Sequence, residues 1–433
     1  MITIIQIIVF LLITGWALKY MFSSQELVAH PFFKKSKIGV TGMQQFFLFT
    51  LAVGILQLGS FSAARLLVSI LLVALAIVYD KKRTVFSATT VLYILFLCWL
   101  LIAIAYSPVK VYGLRVFLKY LFPFLILLLA SKVADSPVFS YKALRTILKV
   151  GIWGGLFILI LSRIPIISTI SWSLFWWPPA ILDFLGVPVA IVLAYYTLKI
   201  RKRYIWLLPI FILPCIIGTN RTGLMVVAIT IAVFSLIRYN LRSVPYLILS
   251  GGLFLGSILY IPAFREKMFN KELTTEQIIE NRDSLSADDV DSSGRFAMWE
   301  WSLKNYFEGK ELTGSGLGVL QEVFYSLKHP FGRMRIVHND YIQLLCDTGL
   351  IGLCLYVSVF LSMIIHSIVV FYKKNRFTVR LLALVAASSM SGMMASLYTD
   401  NAVNYSLMTL TYPFAIYGMM IGLKSRTISH AVQ

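Results

Sequence analysis

The sequence is short of charge. Only 13% of its 433 residues are Asp, Glu, Lys or Arg, against roughly 25% in a water-soluble domain. That deficit excludes a chain whose surface faces water throughout. Acids are scarcer still, 19 against 39 Lys and Arg. The four cysteines, Cys98, Cys215, Cys346 and Cys354, all lie in apolar runs, so neither a disulfide framework nor a zinc spacing is present. No nucleotide-binding motif occurs. Period-two alternation is missing, which argues against an outer-membrane barrel, and no transporter-like internal repeat is evident. The N-terminal run lacks a basic n-region and a small-residue cleavage site, so it reads as a retained helix and not a signal peptide.

What the sequence has is apolar length. Runs able to cross a hydrocarbon core of about 30 Å recur along nearly the whole chain. Backbone in lipid must satisfy its own hydrogen bonds, so these runs are predicted to be helices. The expected fold is an all-α, polytopic integral membrane protein of about 12–13 transmembrane helices with one large extracytoplasmic loop. The predicted spans are 2–20, 43–60, 64–79, 85–106, 114–130, 146–162, 179–198, 204–218, 222–238, 244–261, 340–372, 381–398 and 404–423. They divide the chain into an N-terminal helix bundle (1–261), the loop (262–339) and C-terminal helices (340–433).

Charge orients the spans. Alternate loops carry Lys34/Lys35/Lys37, Lys81/Lys82/Arg83, Lys132/Lys142/Arg145, Lys199/Arg201/Lys202/Arg203, Arg238/Arg242 and Lys373/Lys374/Arg376/Arg380, then the tail Lys424/Arg426. The intervening short loops hold only Arg65, Lys110, Arg115, Arg163 and Arg221. The positive-inside rule places the first set in the cytoplasm, with the N-terminus outside and the C-terminus inside. The net charge of +20 is therefore loop charge and does not imply nucleic acid as a partner.

The loop 262–339 is different: it holds twelve of the nineteen acids, and long loops are uncommon unless functional. Residues 284–293 (SLSADDVDSS) read as a linker, and the DDVD within it lacks the supporting fold a metal site needs. Residues 295–308 (RFAMWEWSLKNYFE) read as an amphipathic helix with Phe296, Trp299 and Leu303 on one side. Residues 313–318 (TGSGLG) read as a glycine-rich turn. The following helix, predicted from His338 or Asn339, would be about 50 Å long at 1.5 Å per residue, so it either projects above the membrane or tilts.

Few side chains on the outer side can carry chemistry. His338 stands just before that helix, where unpaired N–H groups favour an anion and a neutral imidazole able to accept a proton; it could equally cap the helix with Asn339 or Asp340. Arg221 lies in a short turn, GTNRTG. An arginine there is costly unless paired or functional; it either clamps phosphate oxygens bidentately or snorkels to headgroups. Arg295 opens the loop helix and is a further anion-binding candidate, or a solvated arginine paired with Glu300. Arg115 and Lys119 share a helix face and suit lipid anchoring or an anionic pocket, as does Arg65 more weakly. Asp183 and Asp347 are acids within spans with no evident partner.

The run HNDYIQLLCDTGLIG, from His338 to Gly352, resembles the signature of the O-antigen ligase and Wzy-type polysaccharide polymerase family through His338, Asn339, Leu344, Asp347, Gly349 and Gly352. The TNRTG around Arg221, the SGR…W at 294–299 and the GSGLG at 314–318 resemble other family segments in order. The resemblance implies an inverting glycosyltransferase of polysaccharide or lipopolysaccharide biosynthesis in the bacterial cell envelope. It implies an undecaprenyl-diphosphate-linked glycan as donor, a glycolipid acceptor, no metal or other cofactor, and an extracytoplasmic site on the inner membrane. A chain-length regulator protein is a further partner of such systems. Carried onto this chain, His338 is the base and Arg221 and Arg295 bind the diphosphate; apart from the resemblance, Arg115, Lys119 and Arg65 are further candidates for substrate contact, with lipid anchoring the favoured reading for them. Polymerisation of repeat units is the favoured reading, ligation to lipid A-core the alternative, and transport of a lipid-linked oligosaccharide the rival from another class.

Overall fold

A computed structural model describes residues 2–29, 37–82, 84–169, 180–218, 220–260 and 294–429. The fold is all-α and polytopic: a short antiparallel hairpin, Glu26–Ala29 paired with Lys37–Val40, is the only sheet among the described residues. The helices are α1 (Ile2–Met21), α2 (Gly42–Val53), α3 (Ser62–Tyr79), α4 (Ala88–Ala105), α5 (Lys110–Val133), α6 (Pro137–Leu159), α7 (Ala180–Phe184), α8 (Gly186–Thr197), α9 (Leu208–Ile217), α10 (Arg221–Tyr239) and α11 (Val244–Tyr260). After the undescribed part of the loop come α12 (Arg295–Tyr306), α13 (Val319–Tyr325), α14 (Asp340–Tyr372), α15 (Phe377–Thr399) and α16 (Thr411–Ser429).

Among the described residues, eight helices are long and apolar enough to cross a membrane: α1, α3, α4, α5, α6, α10, α14 and α15. The other predicted spans are shorter or interrupted. The run 43–60 forms only the twelve-residue α2. The run 179–198 divides into α7 and α8, and 204–218 into a 3-10 turn (Lys202–Leu207) and the ten-residue α9. The 17-residue α11 falls just short of a full span. The run 404–423 is interrupted too, because α16 begins only at Thr411. The linker 284–293, with its DDVD, lies outside the described residues.

Small residues let the helices approach closely, as they must where lipid supplies no hydrophobic drive. Gly418 and Gly422, one turn apart on α16, lie against α5: an added Cβ would stand 2.4 Å from the Leu127 carbonyl oxygen and 2.3 Å from that of Ser131. Gly392 of α15 lies likewise against Val226 and Thr230 of α10. Aromatic rings join α4, α5, α14 and α16 in the centre, with Phe96–Tyr356 centroids 4.9 Å, Tyr120–Tyr356 5.2 Å and Phe360–Phe414 5.7 Å apart.

Among the described residues, several of the basic loops meet at one end of this bundle. Lys82 pairs with Asp135 at 2.6 Å. The Lys132 ammonium donates to the carbonyls of Ile77 and Asp80, and Arg426 donates to that of Lys132. Tyr372 donates to Asn240. At the opposite end sit the last turn of α15, the start of α14 and the loop helices.

The overlong helix α14 resolves at Gly349. This residue has φ +66° and ψ −169° and splits the element in two. The part after it, residues 350–372, is about 34 Å long at 1.5 Å per residue, the thickness of a bilayer core. Backbone groups freed by the break are taken up by the glycine-rich loop and by α4. Leu350 and Ile351 N–H donate to the carbonyls of Glu311 and Leu312, at 2.8 and 3.3 Å. The carbonyls of Cys346 and Asp347 accept from Ser315 and Gly316 N–H at 2.8 and 2.9 Å, and that of Thr348 from Trp99 Nε1 at 3.1 Å. Non-helical backbone in a membrane protein is tolerated only when covered in this way. Gly349 is obligatory here, since a Cβ would lie 2.2 Å from the Leu312 oxygen.

Candidate functional site

The site is built on a polar interruption between two apolar helices. Residues 399–405 (TDNAVNY) form a strap joining α15 to α16, part of it a 3-10 turn, Ala402–Tyr405. The strap meets the start of α14 through a buried network. Asn339 caps α14, its side chain accepting from Ile342 N–H at 3.0 Å. Asp340 accepts from Asn401 Nδ2 and Val403 N–H, each at 3.0 Å. Asn401 also donates to Gln343 at 3.0 Å. Apart from the buried Asn339 Nδ2, which has no partner among the described residues, these groups meet partners of complementary type, so the strap and the helix start are held as one unit.

His338 sits on that unit. Its N–H donates to Asn401 Oδ1 at 2.6 Å, and its Nδ1 lies 3.0 Å from Asp400 Oδ1. An ionised carboxylate can only accept, so Nδ1 donates to it, and in the neutral imidazole Nε2 is then the nitrogen with the lone pair. Nε2 has no hydrogen-bond partner among the described residues, and the side chain is 25% exposed. The backbone of His338 has φ +54°, a left-handed conformation that costs about 1–3 kcal/mol for a residue other than glycine. The bonds to Asp400 and Asn401 hold it there.

Arg295 reaches the same strap. It opens α12 and donates from Nη1 to the Thr399 carbonyl at 2.5 Å. Thr399 and Asp400 are neighbours, so the guanidinium and the imidazole are moored to consecutive residues. Trp299, one turn along α12, donates to the Val337 carbonyl at 2.8 Å and packs on Tyr398. The loop helices thus have a core of their own, in which Met298, Leu320, Phe324, Val337 and Cys346 are buried. The buried stripe of α12 runs through Met298 and Ser302; Phe296 is exposed and meets Trp299 edge-on.

Arg221 is the first residue of α10, capped by Asn220, whose side chain accepts from Gly223 N–H at 2.6 Å. Helix α10 runs antiparallel to α15, with Val226 and Thr230 beside Gly392. Arg221 and Thr399 are each about seven residues, or about 10 Å, beyond that crossing towards the same end. Arg221, Arg295 and His338 therefore share one end of the bundle.

The remaining candidates separate. Lys119 belongs with the site, since its ammonium donates to Asn404 of the strap at 2.6 Å and to Gln321 of α13 at 3.3 Å. Arg115 lies exposed over the Tyr112 ring, 5.2 Å from its centroid. Arg65 is buried, 2% exposed, and donates to the carbonyl of Val53, the last residue of α2, at 2.5 Å. A cation at a helix C-terminus is favoured by the helix dipole.

Both acids without evident partners acquire one. Asp347 accepts from Gly318 and Leu320 N–H, each at 2.9 Å. It thereby ties α14 to the glycine turn, where Gly314, Gly316 and Gly318 all have positive φ. Asp183 accepts from Ser396 Oγ at 2.7 Å, one turn of α15 before Asp400. The residue that sequence reasoning missed is Asp400 itself. Its only signal was the polar break TDN between two predicted spans.

What stands at this end is a membrane protein's histidine–carboxylate pair with Arg295 moored beside it and Arg221 at the same end of the bundle. Residues 206–357 match the family model Wzy_C, described as O-Antigen ligase. This is the family that the motifs resemble, and the matched stretch contains Arg221, Arg295, His338 and the Asp347–Gly349–Gly352 signature. No curated protein matches the chain.

Proposed function

We propose that the protein is a metal-independent inverting glycosyltransferase of the cytoplasmic membrane. It moves a glycan from undecaprenyl diphosphate to an acceptor sugar hydroxyl on the extracytoplasmic side. The observation that carries this reading is the mooring of His338 and Arg295, both within the stretch matched to the O-antigen ligase family, on the consecutive strap residues Asp400 and Thr399 that follow it.

Asp400 holds the imidazole with Nε2 outward and stabilises the imidazolium that forms when Nε2 takes the hydroxyl proton. The acceptor oxygen bonds to the anomeric carbon from the face opposite the leaving group as the bond from that carbon to the diphosphate breaks, which inverts the centre. Negative charge grows on the departing lipid diphosphate, and the guanidinium groups of Arg221 and Arg295 are the cations assigned to it. Lys119 adds positive charge beneath the strap.

Joining repeat units to one another is the favoured form of the reaction, because it requires no lipopolysaccharide acceptor. The test is the glycan profile of a deletion strain. Single repeats attached to the acceptor are expected for a polymerase. A bare acceptor with stranded lipid-linked polymer would assign ligation instead, and an unchanged profile would overturn both.

A further inference from the structure

At the opposite, basic end of the bundle an open groove of about 750 Å³ lies between the start of α4, the middle of α14 and the end of α16. Its lining has two characters. Phe86, Leu361 and Ile365 form an apolar wall, and all three are exposed, at 61%, 45% and 59%. The other side is polar: Ser87, Thr89, Ser358, Ser362, His366 and Lys424. Ser358, Leu361, Ser362 and Ile365 repeat at helical spacing on one face of α14, so hydroxyls and apolar groups alternate along the same surface.

The polar side is wired together. Lys424 Nζ lies 3.3 Å from His366 Nε2, and His366 Nδ1 lies 2.8 Å from the Tyr417 hydroxyl. Tyr417 donates to Thr89 at 2.9 Å, and Thr89 meets Ser362 at 2.7 Å. An ammonium only donates, so His366 accepts at Nε2 and is neutral. This chain fixes the position of Lys424 while using one of its three donors. Among the described residues no carboxylate lines the groove, and Lys373 is near enough to Lys424 and His366 to add to the positive field.

We propose that this groove binds the phosphate headgroup of an anionic membrane phospholipid. Lys424 and the hydroxyls of Ser358 and Ser362 hold the phosphate, and an acyl chain lies against Phe86, Leu361 and Ile365. A positive pocket between transmembrane helices at the basic end suits an anionic headgroup. The apolar wall favours a lipid over free phosphate, because phosphate alone would leave that wall uncovered. The site is separate from His338 and independent of the transfer reaction.

The test uses the full chain in phosphatidylcholine nanodiscs with a phosphatidylglycerol probe carrying a photoactivatable acyl chain, and label mapped by peptide mass spectrometry. Label is expected on the segment spanning Ser358 to Ile365. Unlabelled phosphatidylglycerol should compete with it and added phosphatidylcholine should not. Lys424→Gln should lower labelling at least fivefold. Ser425→Asp, which keeps the lysine but places a carboxylate at the groove, should lower it similarly, and His338→Ala should leave it unchanged. Label elsewhere, equal competition by phosphatidylcholine, or full labelling of both groove variants would overturn the proposal. Competition by millimolar inorganic phosphate would overturn the lipid in favour of a free-phosphate site.

Discussion

Replacing Asp400 by Asn isolates what its charge contributes. Asp400 Oδ1 accepts from both His338 Nδ1–H, at 3.0 Å, and Asn401 N–H, at 2.8 Å. An amide flipped to present NH2 would face two donors, so the Asn oxygen stays where the carboxylate oxygen was and the imidazole keeps its tautomer. Only the charge is lost. Hydrogen bonds to charged groups contribute about 1.5–3 kcal/mol and neutral ones about 0.5–1.5 kcal/mol, a difference of roughly 1–1.5 kcal/mol. Because the imidazolium forms only as the proton moves, this loss falls on the barrier and corresponds to about tenfold in kcat, with KM little changed. Asp400→Ala also removes the orientation and should cost about a hundredfold. His338→Ala removes the base, roughly 10²–10⁴-fold. The assay is single-turnover glycan transfer by purified variants of verified fold. Asp400→Asn as slow as His338→Ala would refute the pinned-amide argument, and Asp400→Ala within twofold of wild type would refute the pair altogether.

Three further outcomes are expected. Gly349→Ala should destabilise the protein severely, because its Cβ meets the Leu312 carbonyl oxygen at 2.2 Å in a left-handed backbone; thermal unfolding in detergent measures this, and an unchanged midpoint would contradict the helix break. Asp347→Asn can accept only one of the two bonds from Gly318 and Leu320 without rearrangement, so it should cost about 1–3 kcal/mol for the buried donor left over. That loss should appear as a lower unfolding midpoint; a wild-type midpoint would refute it. Arg65→Met should leave transfer unchanged and stability within about 1 kcal/mol, since the lost helix-end bond is offset by removing a buried cation. A tenfold fall in transfer would instead make Arg65 a substrate contact.

The parts of this account that the sequence made legible were local. The amphipathic start at Arg295, the capped turn at Arg221 and the helix-start histidine each carry a short-range pattern, and all three stand at one end of the bundle. Asp400 was not legible, because it lies 62 residues from His338 and a three-residue polar break looks like any turn. Asp347 was legible as unusual but not in its role, because its partners are backbone N–H groups 27 and 29 residues upstream, which no side-chain pattern reveals. Which runs meet lipid was not legible for a related reason. Apolar composition marks burial without saying whether the neighbour is lipid or protein, and the end of α16 nearest the strap, from Thr411 to Leu423, is buried throughout among other helices.

The most direct measurement is glycan transfer by the purified protein from an undecaprenyl-diphosphate-linked donor to a glycolipid acceptor, in nanodiscs with no second compartment. Wild type should form product, His338→Ala should lose at least a hundredfold, and Arg221→Ala and Arg295→Ala should each lose at least tenfold. Product formed equally well by correctly folded His338→Ala would contradict the account.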